Sequence, residues 1–517
     1  MHYNYQHTIC TTYNLNSIHF NYQYLLSRNS SCSYRILRSS LKPLSQFFLF
    51  RQIFFSLLAV LLMSASYGIQ ALTSLTANPI HGHAPYLTFD GGHTIATNID
   101  TLLGITLSDG SGFTPATNNS SVSSPIELPN TGESFADIDM FVPINSNSIE
   151  LSSLIGPPNN YWYDDDGDGQ GQDGISVTGN LSLTILDKDN QTVARNTTLD
   201  ICKAPYKIFL NTTGGILSTN YGLPRSSVFS ASNTTYFITP KVITKVCFAQ
   251  PSLKYGKLFS GSQMDFRGPA SMWNEDEGFI PQSTEPSSYG LNFPTTGANN
   301  LYFNLKIAGS GPLAWDPVSH NGITAKMRPN STGTSVEVVL TGPIATEEQW
   351  NSTEPGTIAK PLSLPQAFEL VGKDSRGNAV VKYGFEIKQW FVTRGYVGAP
   401  PTAQESWCNK IGYRLPNVKD LTNAVGPGLI GATPSSSGNH YQRRIGGGFV
   451  SEWGDIMNNY DKDRDAGFDP LHGDFWTSNY PSTPTPDGKS WFEVTFDVGA
   501  IQFEHFGANN QGICVTN

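Results

Sequence analysis

Residues 407–421 read Trp407-Cys408-Asn409-Lys410-Ile411-Gly412-Tyr413-Arg414-Leu415-Pro416-Asn417-Val418-Lys419-Asp420-Leu421, and Cys514 follows far downstream. The preceding Thr402-Ala403-Gln404-Glu405 has the pattern of a capping box, which predicts a short helix that carries Trp407 and Cys408. Gly412 is expected to end this helix, and Asn417 to cap a second one. A bridge from Cys408 to Cys514 would fasten the two ends of one domain.

Two later stretches complete this domain. Residues 491–496 alternate apolar and polar side chains as a strand does, and residues 513–515 indicate a final strand. Together with Phe475-Trp476-Thr477-Ser478, this order of motifs resembles C-type-lectin-like domains, especially those of invasin- and intimin-type bacterial adhesins. The resemblance covers roughly residues 393–517 and implies an α+β domain that binds a partner through its surface.

Calcium-dependent lectins hold sugars with Glu-Pro-Asn or Gln-Pro-Asp triplets and a Trp-Asn-Asp triplet. These triplets do not occur in the sequence, where Asn509-Asn510-Gln511 occupies the corresponding neighbourhood. The resemblance implies a protein or glycan receptor on a cell surface, and the missing triplets favour a protein over a calcium-bridged sugar.

A second set of segments, spread over roughly residues 85–517, occurs in an order that resembles the adhesion-domain repeat of large enterobacterial surface proteins. The segments are Tyr161–Gly169, Ile201–Tyr206, Val246–Ala249, Asn292–Gly297, Tyr383–Phe385 and Gly431–Asn439. This family implies a setting at the bacterial surface more than a mechanism.

The composition indicates a folded, acidic, multidomain chain. Its 517 residues suffice for two to four domains, and aromatic residues at 12 % can fill several β-rich cores. Only 14 % of residues are charged and the formal net charge is −10. We expect no nucleic-acid partner, because a phosphate-binding surface needs a basic patch.

Residues 1–71 have the pattern of a leader with a signal peptide. They contain five basic and no acidic residues, and the apolar run 53–63 is broken only by Ser56. The run is short for a membrane span and suits a signal peptide, with an uncleaved N-terminal anchor as the alternative. We therefore expect an exported chain, at the cell surface or secreted, with no transmembrane segment after leader removal. The periplasm is the alternative location.

Four cysteines lie beyond the leader, namely Cys202, Cys247, Cys408 and Cys514. An even number without Cys-x-x-Cys spacing favours disulfides over zinc in an exported protein. Four cysteines allow three pairings. Proximity within the expected domains selects Cys202 with Cys247 and Cys408 with Cys514.

The region before residue 393 has short strands throughout. Alternation in Leu181–Ile185, Leu301–Ile307 and Val336–Leu340 predicts half-buried strands, and Asp374–Asn378 predicts the turn of a hairpin. The predicted fold class is mainly β, with tandem β-sandwich (Ig-like) modules followed by the α+β C-type-lectin-like domain.

The chain is predicted to have four parts. They are a leader at 1–71, a Ser/Thr/Asn-rich segment at 72–135, a β-sandwich region at 136–392 with one or two modules, and the C-type-lectin-like domain at 393–517.

The acidic run beginning at Asp164 is a candidate calcium loop. Asp164, Asp166 and Asp168 alternate before a glycine, so their carboxylates can converge on one hard cation. Position twelve is Ile175, where an EF-hand has a bidentate Glu, so Asp173 would have to serve in a different geometry. Calcium is the expected cofactor, and a solvated acidic turn is the alternative. A second, partly neutralised set is Asp461, Asp463, Asp465 and Asp469.

Receptor contacts are expected in the last domain. The candidates are Arg443, Arg444, Tyr441 and Tyr460, with Tyr480 as a further exposed aromatic residue. The alternative for the arginine pair is simple solvation. Trp407, Trp453, Trp476 and Trp491 are expected in the core, because large rings dominate burial in small domains.

The leading functional reading is an exported, non-enzymatic adhesin-like protein whose C-terminal domain binds a host or neighbouring-cell receptor. No Gly-x-Ser-x-Gly elbow, His-Glu-x-x-His helix or phosphate loop occurs in the sequence. The second reading is a periplasmic or secreted structural or assembly partner of another surface component. A third reading, a secreted hydrolase, depends only on scattered carboxylates and aromatic residues.

Overall fold

The computed structural model describes residues 82–164, 174–220, 222–259, 261, 264–361, 363–456, 467–468, 474–481, 489–505 and 507–517. These belong to the unit Pro79–Asn517. Its backbone is mainly β, which confirms the predicted fold class. Among the helices of the described residues, none has both the length and the apolar character needed to cross a membrane.

The N-terminal module comprises residues 82–239. Its described strands are β1 Tyr86–Leu87, β2 Ile105–Thr106, β3 Gly112–Phe113, β4 Ile126–Glu127, β5 Ser148–Glu150, β6 Trp162–Tyr163, β7 Ser176–Val177, β8 Asn180–Leu186, β9 Tyr206–Thr212, β10 Gly215–Ser218, β11 Ser226–Phe229 and β12 Ser232–Thr239. Its described helices are α1 Ile99–Leu102 and α2 Leu151–Leu154, with 3₁₀ turns at Phe135–Asp137 and Ile201–Lys203.

A five-stranded sheet in the order β4-β12-β9-β8-β5 lies beside a three-stranded sheet in the order β11-β10-β7. Strand β8 alternates as predicted, and its buried Leu183 and Ile185 lie opposite Leu210 and Ile208 of β9. A period of two places alternate residues on one face, so this apolar row faces the module's core.

The middle module comprises residues 245–387. Its described strands are β13 Lys245–Gln250, β14 Trp273–Asn274, β15 Gly278–Phe279, β16 Thr296–Ala298, β17 Tyr302–Ala308, β18 Ala314–Trp315, β19 Val318–His320, β20 Ile323–Pro329, β21 Ser335–Thr341, β22 Gln366–Lys373 and β23 Ala379–Ile387. It also contains helix α3 Glu347–Asn351 and a 3₁₀ segment at Pro286–Leu291. The sheets run in the orders β14-β15-β13-β17-β21-β20-β19 and β18-β22-β23.

The predicted hairpin in this module is present. Strands β22 and β23 pair antiparallel, and Asp374 Oδ1 accepts hydrogen bonds from the backbone nitrogens of Arg376 and Asn378, both at 2.9 Å. An Asp side chain that bonds its own backbone in this way favours a turn locally, which is why the sequence pattern sufficed.

The C-terminal module comprises residues 389–517. Its described elements are β24 Gln389–Ala399, α4 Pro401–Lys410, α5 Val418–Leu421, β25 Val425–Gly426, β26 Leu429–Ile430, α6 Phe449–Trp453, β27 Phe475–Trp476, β28 Lys489–Val494, β29 Ile501–His505 and β30 Asn510–Val515. Its main sheet has the order β16-β24-β30-β27-β28-β29, so β16 of the middle module forms one edge. The first and last strands of the module, β24 and β30, pair antiparallel.

Helix α4 begins differently from the prediction. It begins at Pro401 after the N-cap residue Pro400, so the predicted capping box is wrong. Proline suits the first helical position, where its missing N–H leaves no helical bond unmade. Gln404, expected inside the box, is fully buried and its Nε2 donates to the carbonyl oxygens of Val397 and Asn510 at 3.0 and 2.9 Å. Gly412, with φ +91°, follows the end of the helix as predicted.

Both disulfides join the cysteines that the sequence paired. Cys408 in α4 is bonded to Cys514 in β30 with a Cα–Cα distance of 5.4 Å. Cys202 is bonded to Cys247 in β13 with a Cα–Cα distance of 5.5 Å. The Cys202–Cys247 disulfide therefore links the N-terminal module covalently to the middle module.

The described apolar side chains form two cores. One lies within the N-terminal module, and residues of the expected 72–135 segment, such as Leu102 and Phe135, belong to it. The other extends without a break through the middle and C-terminal modules, from Val246 to Val515. The expected boundary between residues 392 and 393 lies inside β24, so a continuous strand and a shared core cross it.

Candidate functional site

Arg443 is an internal anchor between the middle and C-terminal modules. Its Nη1 donates to the carbonyl oxygen of Glu452 at 2.9 Å, and its Nη2 donates to the carbonyl oxygens of Ser252 and Lys254. Its guanidinium lies 4.8 Å from the ring centroid of Trp273. Three carbonyl acceptors and an aromatic face compensate a buried cation for its lost hydration.

This burial corrects two predicted receptor contacts. Arg443 and Tyr441 are both fully buried, and the guanidinium lies 5.5 Å from the Tyr441 ring centroid. Neither side chain reaches a partner outside the protein. Burial raises the pKa of the Tyr441 hydroxyl above its ordinary value.

Glu452 in α6 forms a second internal anchor. Its carboxylate accepts hydrogen bonds from the backbone nitrogen and the hydroxyl of both Thr295 and Thr296, and from Gly446 N at 2.8 Å. Burial raises the pKa of this carboxyl, while the hydrogen bonds act in the opposite direction. Because Thr296 begins β16, Glu452 holds the middle module's edge strand in the C-terminal sheet.

A third contact fixes residues 251–255, the segment that follows β13. Lys254 Nζ donates to the fully buried carboxylate of Asp455, and this hydrogen bond raises the pKa of the lysine. Together with the Arg443 bonds to Ser252 and Lys254, it anchors this segment on the C-terminal module.

A short hairpin follows this anchored segment, and we call it the apolar hairpin. It comprises the described residues of 257–265, which leave out Ser260, Ser262 and Gln263. Leu258 and Asp265 form a β-bridge, and Phe259 N donates to the carbonyl oxygen of Met264 at 3.1 Å. Leu258, Phe259 and Met264 expose 52 %, 54 % and 38 % of their surface. An open depression of about 500 Å³ lies along its base, between Leu253, Tyr255 and Phe259.

Beside the hairpin is an open depression of about 490 Å³ that we call the polar cleft, lined among others by Asp265, Arg267, Trp273, Glu275 and Arg444. Arg267 Nε and Nη2 bond the two carboxylate oxygens of Asp265 at 2.8 and 2.9 Å, and Nη1 lies 3.6 Å from Glu275 Oε1. The hydrogen bond from Arg267 lowers the pKa of the Asp265 carboxyl. Asp265 connects the two surfaces, because it pairs with Leu258 in the hairpin and also lines the cleft.

Arg444 is the predicted receptor contact that the structure brings to this surface. Its side chain is half-buried, and its Nε is shielded from solvent without a hydrogen-bond partner among the described residues. Among the described residues, the Arg444 guanidinium forms no ion pair with a carboxylate. Arg444 thus differs from Arg267, whose charge is already matched by two carboxylates.

The other sequence candidates have different positions. Tyr480 is 66 % exposed and its ring centroid lies 5.6 Å from that of Trp491, far along the chain from the hairpin. Tyr460 and the second acidic set, Asp461, Asp463, Asp465 and Asp469, lie outside the described residues.

The candidate calcium ligands lie mostly beyond what the structure describes. Asp164 follows β6, whereas Asp166, Asp168 and Asp173 lie outside the described residues. In the described ranges, no group of three or more His, Cys, Asp or Glu residues is placed to hold a metal. Calcium therefore stays a prediction from the sequence.

Sequence reasoning missed Leu258, Phe259, Met264 and Arg267. A signal was present, because Leu258-Phe259 and Met264 flank the polar run Ser260-Gly261-Ser262-Gln263. Because exposed apolar patches mark interaction sites, bulky apolar residues on both sides of a polar run were a signal worth following.

Comparison with known proteins gives three structural likenesses. No protein-family model matches the chain, and no curated protein does. The chain is similar to the crystal structure of invasin, a bacterial integrin-binding protein, with 14 % identity and a TM-score of 0.31 over 69 % of this chain and 53 % of invasin. It thus spans about half the length of that structure.

Two intimin structures show a similar level of likeness. One is the C-terminal 282-residue fragment of intimin in complex with the intimin-binding domain of the translocated intimin receptor, at 11 % identity and a TM-score of 0.28, covering 66 % of this chain and 93 % of that one. The other is an intimin–Tir90 complex, at 12 % identity and a TM-score of 0.26, covering 47 % and 92 %.

Proposed function

We propose that this chain is an exported, non-enzymatic adhesin-like protein that binds a receptor on a host or neighbouring cell through its C-terminal module. The observation that carries this proposal is the architecture of residues 389–517. A helix and the last strand are joined by Cys408–Cys514, and that strand pairs with the first strand of the module. This is the arrangement implied by the resemblance to the lectin-like domains of bacterial adhesins.

Two further features support export to an oxidising compartment. The leader has the pattern of a signal peptide, and both pairs of cysteines are close enough to be bonded. Disulfides form and persist at cell surfaces and in secreted proteins and are rare in the cytosol.

The expected receptor is a protein, with a glycan as the alternative. Exposed apolar residues next to an arginine suit a protein partner, since aromatic residues, Met and Arg are enriched at protein interfaces. The N-terminal module and the β-sandwich part of the middle module would carry and orient the binding region.

The test is adhesion of the purified protein to cultured epithelial cells and to neighbouring bacteria. We expect saturable binding that is lost when the cells are treated with trypsin and retained after glycosidase treatment. The reverse pattern would indicate a glycan receptor. Absence of saturable binding to every cell type would contradict the proposal.

The second candidate is a periplasmic or secreted assembly partner of another surface component. The exposed apolar hairpin favours it as well, because assembly contacts also bury apolar surface. Fractionation of expressing cells separates the two. Protease-accessible protein at the surface supports the adhesin, and a pool confined to the periplasm supports the assembly partner.

A further inference from the structure

We infer that the recognition surface lies at the junction of the middle and C-terminal modules, where the apolar hairpin and the polar cleft meet. Its partner is a protein segment that presents a carboxylate next to an apolar side chain. Arg444 binds the carboxylate, and Leu258 and Phe259 cover the apolar side chain. The inference rests on the proposed function, since the partner would be the receptor named there, and it extends the binding site from the C-terminal module to the adjoining hairpin of the middle module.

The apolar half of the surface is exposed and held in place. Leu258 and Phe259 each expose more than half of their surface, although the hairpin that carries them is paired at its base. The ring of Tyr255 under the hairpin lies 5.4 Å from that of the buried Phe266. Burial of such exposed apolar side chains drives association.

The charged half selects the partner's chemistry. Among the cations around the hairpin, Lys254 is paired with Asp455, Lys257 with Asp276, and Arg267 with Asp265. Arg444 has no such carboxylate within the described part of the chain, and its half-buried side chain lines the polar cleft with an Nε that makes no hydrogen bond there. A planar guanidinium binds a carboxylate through two parallel hydrogen bonds, so an Asp or Glu of the partner fits this position.

Contacts of the neighbouring backbone hold Arg444 in position. Arg443 N donates to the carbonyl oxygen of Phe266 at 2.9 Å, which fixes the backbone next to Arg444 against the segment that precedes Arg267. Gly268 lines the cleft, and a Cβ atom there would lie 2.0 Å from the carbonyl oxygen of Arg443. The two chain segments therefore approach more closely than any side chain would allow.

A protein segment explains these features better than a membrane or a nucleic acid. An anionic membrane or a phosphate backbone attracts clustered basic residues, whereas the lysines here are already paired and the chain carries a net charge of −10. One unpaired arginine beside exposed apolar side chains matches a partner with one carboxylate.

The experiment is an array of short peptides of random sequence, probed with labelled full-length protein. We expect the bound peptides to contain Asp or Glu within a few positions of Leu, Phe or Trp. Arg444→Gln and Phe259→Ser should each weaken binding about tenfold or more, as truncation of an interface anchor does. Arg444→Lys, which keeps the charge but not the fork of donors, should bind with intermediate strength.

Matched controls are Arg376→Gln and Val228→Ser, which change an exposed arginine and an exposed apolar residue away from this surface. They should bind as the wild type does. Melting temperatures equal to that of the wild type show that each variant is folded.

Three results would overturn the inference: bound peptides without carboxylates, equal binding by wild type and Arg444→Gln, or no bound peptide. Each is distinguishable from failure of the proposed function. Saturable adhesion to cells without array binding would mean that the receptor binds elsewhere on the protein. Array binding without adhesion would support this surface as a peptide-binding site and contradict the proposed adhesion to cells.

Discussion

The two junctions between modules are held together in different ways. The N-terminal and middle modules have separate cores, and the contacts between them include the Cys202–Cys247 disulfide and two ion pairs, Lys245–Asp200 at 2.8 Å and Lys188–Glu277 at 3.6 Å. The groups of the Lys245–Asp200 pair are exposed, so water screens it and it contributes little. The disulfide is the covalent link described across this junction.

The middle and C-terminal modules share one core and one sheet. Strand β16 pairs with β24, Glu452 bonds Thr295 and Thr296, and Arg443 bonds carbonyl groups next to β13. These contacts are buried, where removing one partner leaves a costly unpaired group. The C-terminal module therefore shares its core and its main sheet with the middle module, and buried contacts anchor the proposed recognition surface at this junction.

The largest effect should come from removing the disulfide inside this shared unit. Cys408→Ala combined with Cys514→Ala opens a loop of 106 residues, which should lower the free energy of unfolding by about 4–5 kcal/mol in the chain-entropy model. Urea unfolding followed by tryptophan fluorescence measures it. The middle and C-terminal modules should lose stability together.

The matched variant is Cys202→Ala with Cys247→Ala, whose cysteines are 45 positions apart. It should destabilise the link between the N-terminal and middle modules while the unfolding midpoint of residues 245–517 stays unchanged. If both double variants shifted that midpoint equally, the two junctions would not differ as described.

Glu452→Ala should produce the second largest effect. It leaves five buried donors, on Thr295, Thr296 and Gly446, without their acceptor, and we expect a loss of about 3–4 kcal/mol. The control is Glu348→Ala, an exposed glutamate in α3. Hydrogen exchange should show β16 opening in Glu452→Ala and staying protected in the control. Protection of β16 in both variants would show that Glu452 does not hold the edge strand.

A smaller effect is expected from Asp474, just before β27. Burial first, and then Asp497 and Glu504, raise the pKa of its carboxyl to about 6. The fold therefore favours the protonated form, so this stability is fully present below about pH 4 and is lost as the pH rises through about 6. Asp474→Asn should make the protein more stable at neutral pH by about 2 kcal/mol, less than the roughly 3 of a two-unit shift because the side chain keeps some solvent contact.

Urea midpoints at about pH 4 and about pH 8 check this sign. Asp374→Asn is the opposite control, because hydrogen bonds from Asn378 lower the pKa of Asp374. It should reduce stability at neutral pH instead of raising it. A pH dependence in Asp474→Asn identical to that of the wild type would rule out Asp474 as its source.

An effect of similar size to that of Asp474 is expected from calcium at the acidic run of residues 164–173. An affinity of about 0.1–1 mM is expected without an acidic twelfth residue, so calcium at about 10 mM should add about 1–3 kcal/mol and raise the melting temperature. Asp166→Asn should weaken the response, because it removes a charge while keeping one oxygen. An unchanged melting temperature together with no heat in calorimetry would reduce the run to a solvated acidic turn.

Local patterns in the sequence predicted local structure well. The turn at Asp374–Asn378, the alternating strand β8 and the end of α4 at Gly412 each depend on neighbours within a few residues. The cysteine pairs were predictable because few pairings exist. Long-range contacts were not. The fate of Arg443 is decided by carbonyl groups 189 and 191 positions away, and that of Glu452 by threonines 157 and 156 positions away.

The candidate site shows the same limit. Arg444 was identified from its charge, but its neighbour Arg443, equal in sequence terms, lies inside the protein. The packing of the hairpin segment against residues 441–445 decides that Arg443 is buried and that Arg444 lines the cleft. Likewise, the failed capping box at Thr402 fits its motif, but burial of Gln404 and Pro401 sets the start of α4.

The central claim is that the junction of the middle and C-terminal modules is the part of the protein that recognises a cell. Adhesion of the wild type, Arg444→Gln and Arg376→Gln to the same cells, at equal melting temperature, tests it most directly. We expect saturable binding by the wild type and by Arg376→Gln, and binding weakened about tenfold in Arg444→Gln. Equal binding by all three proteins would contradict the claim.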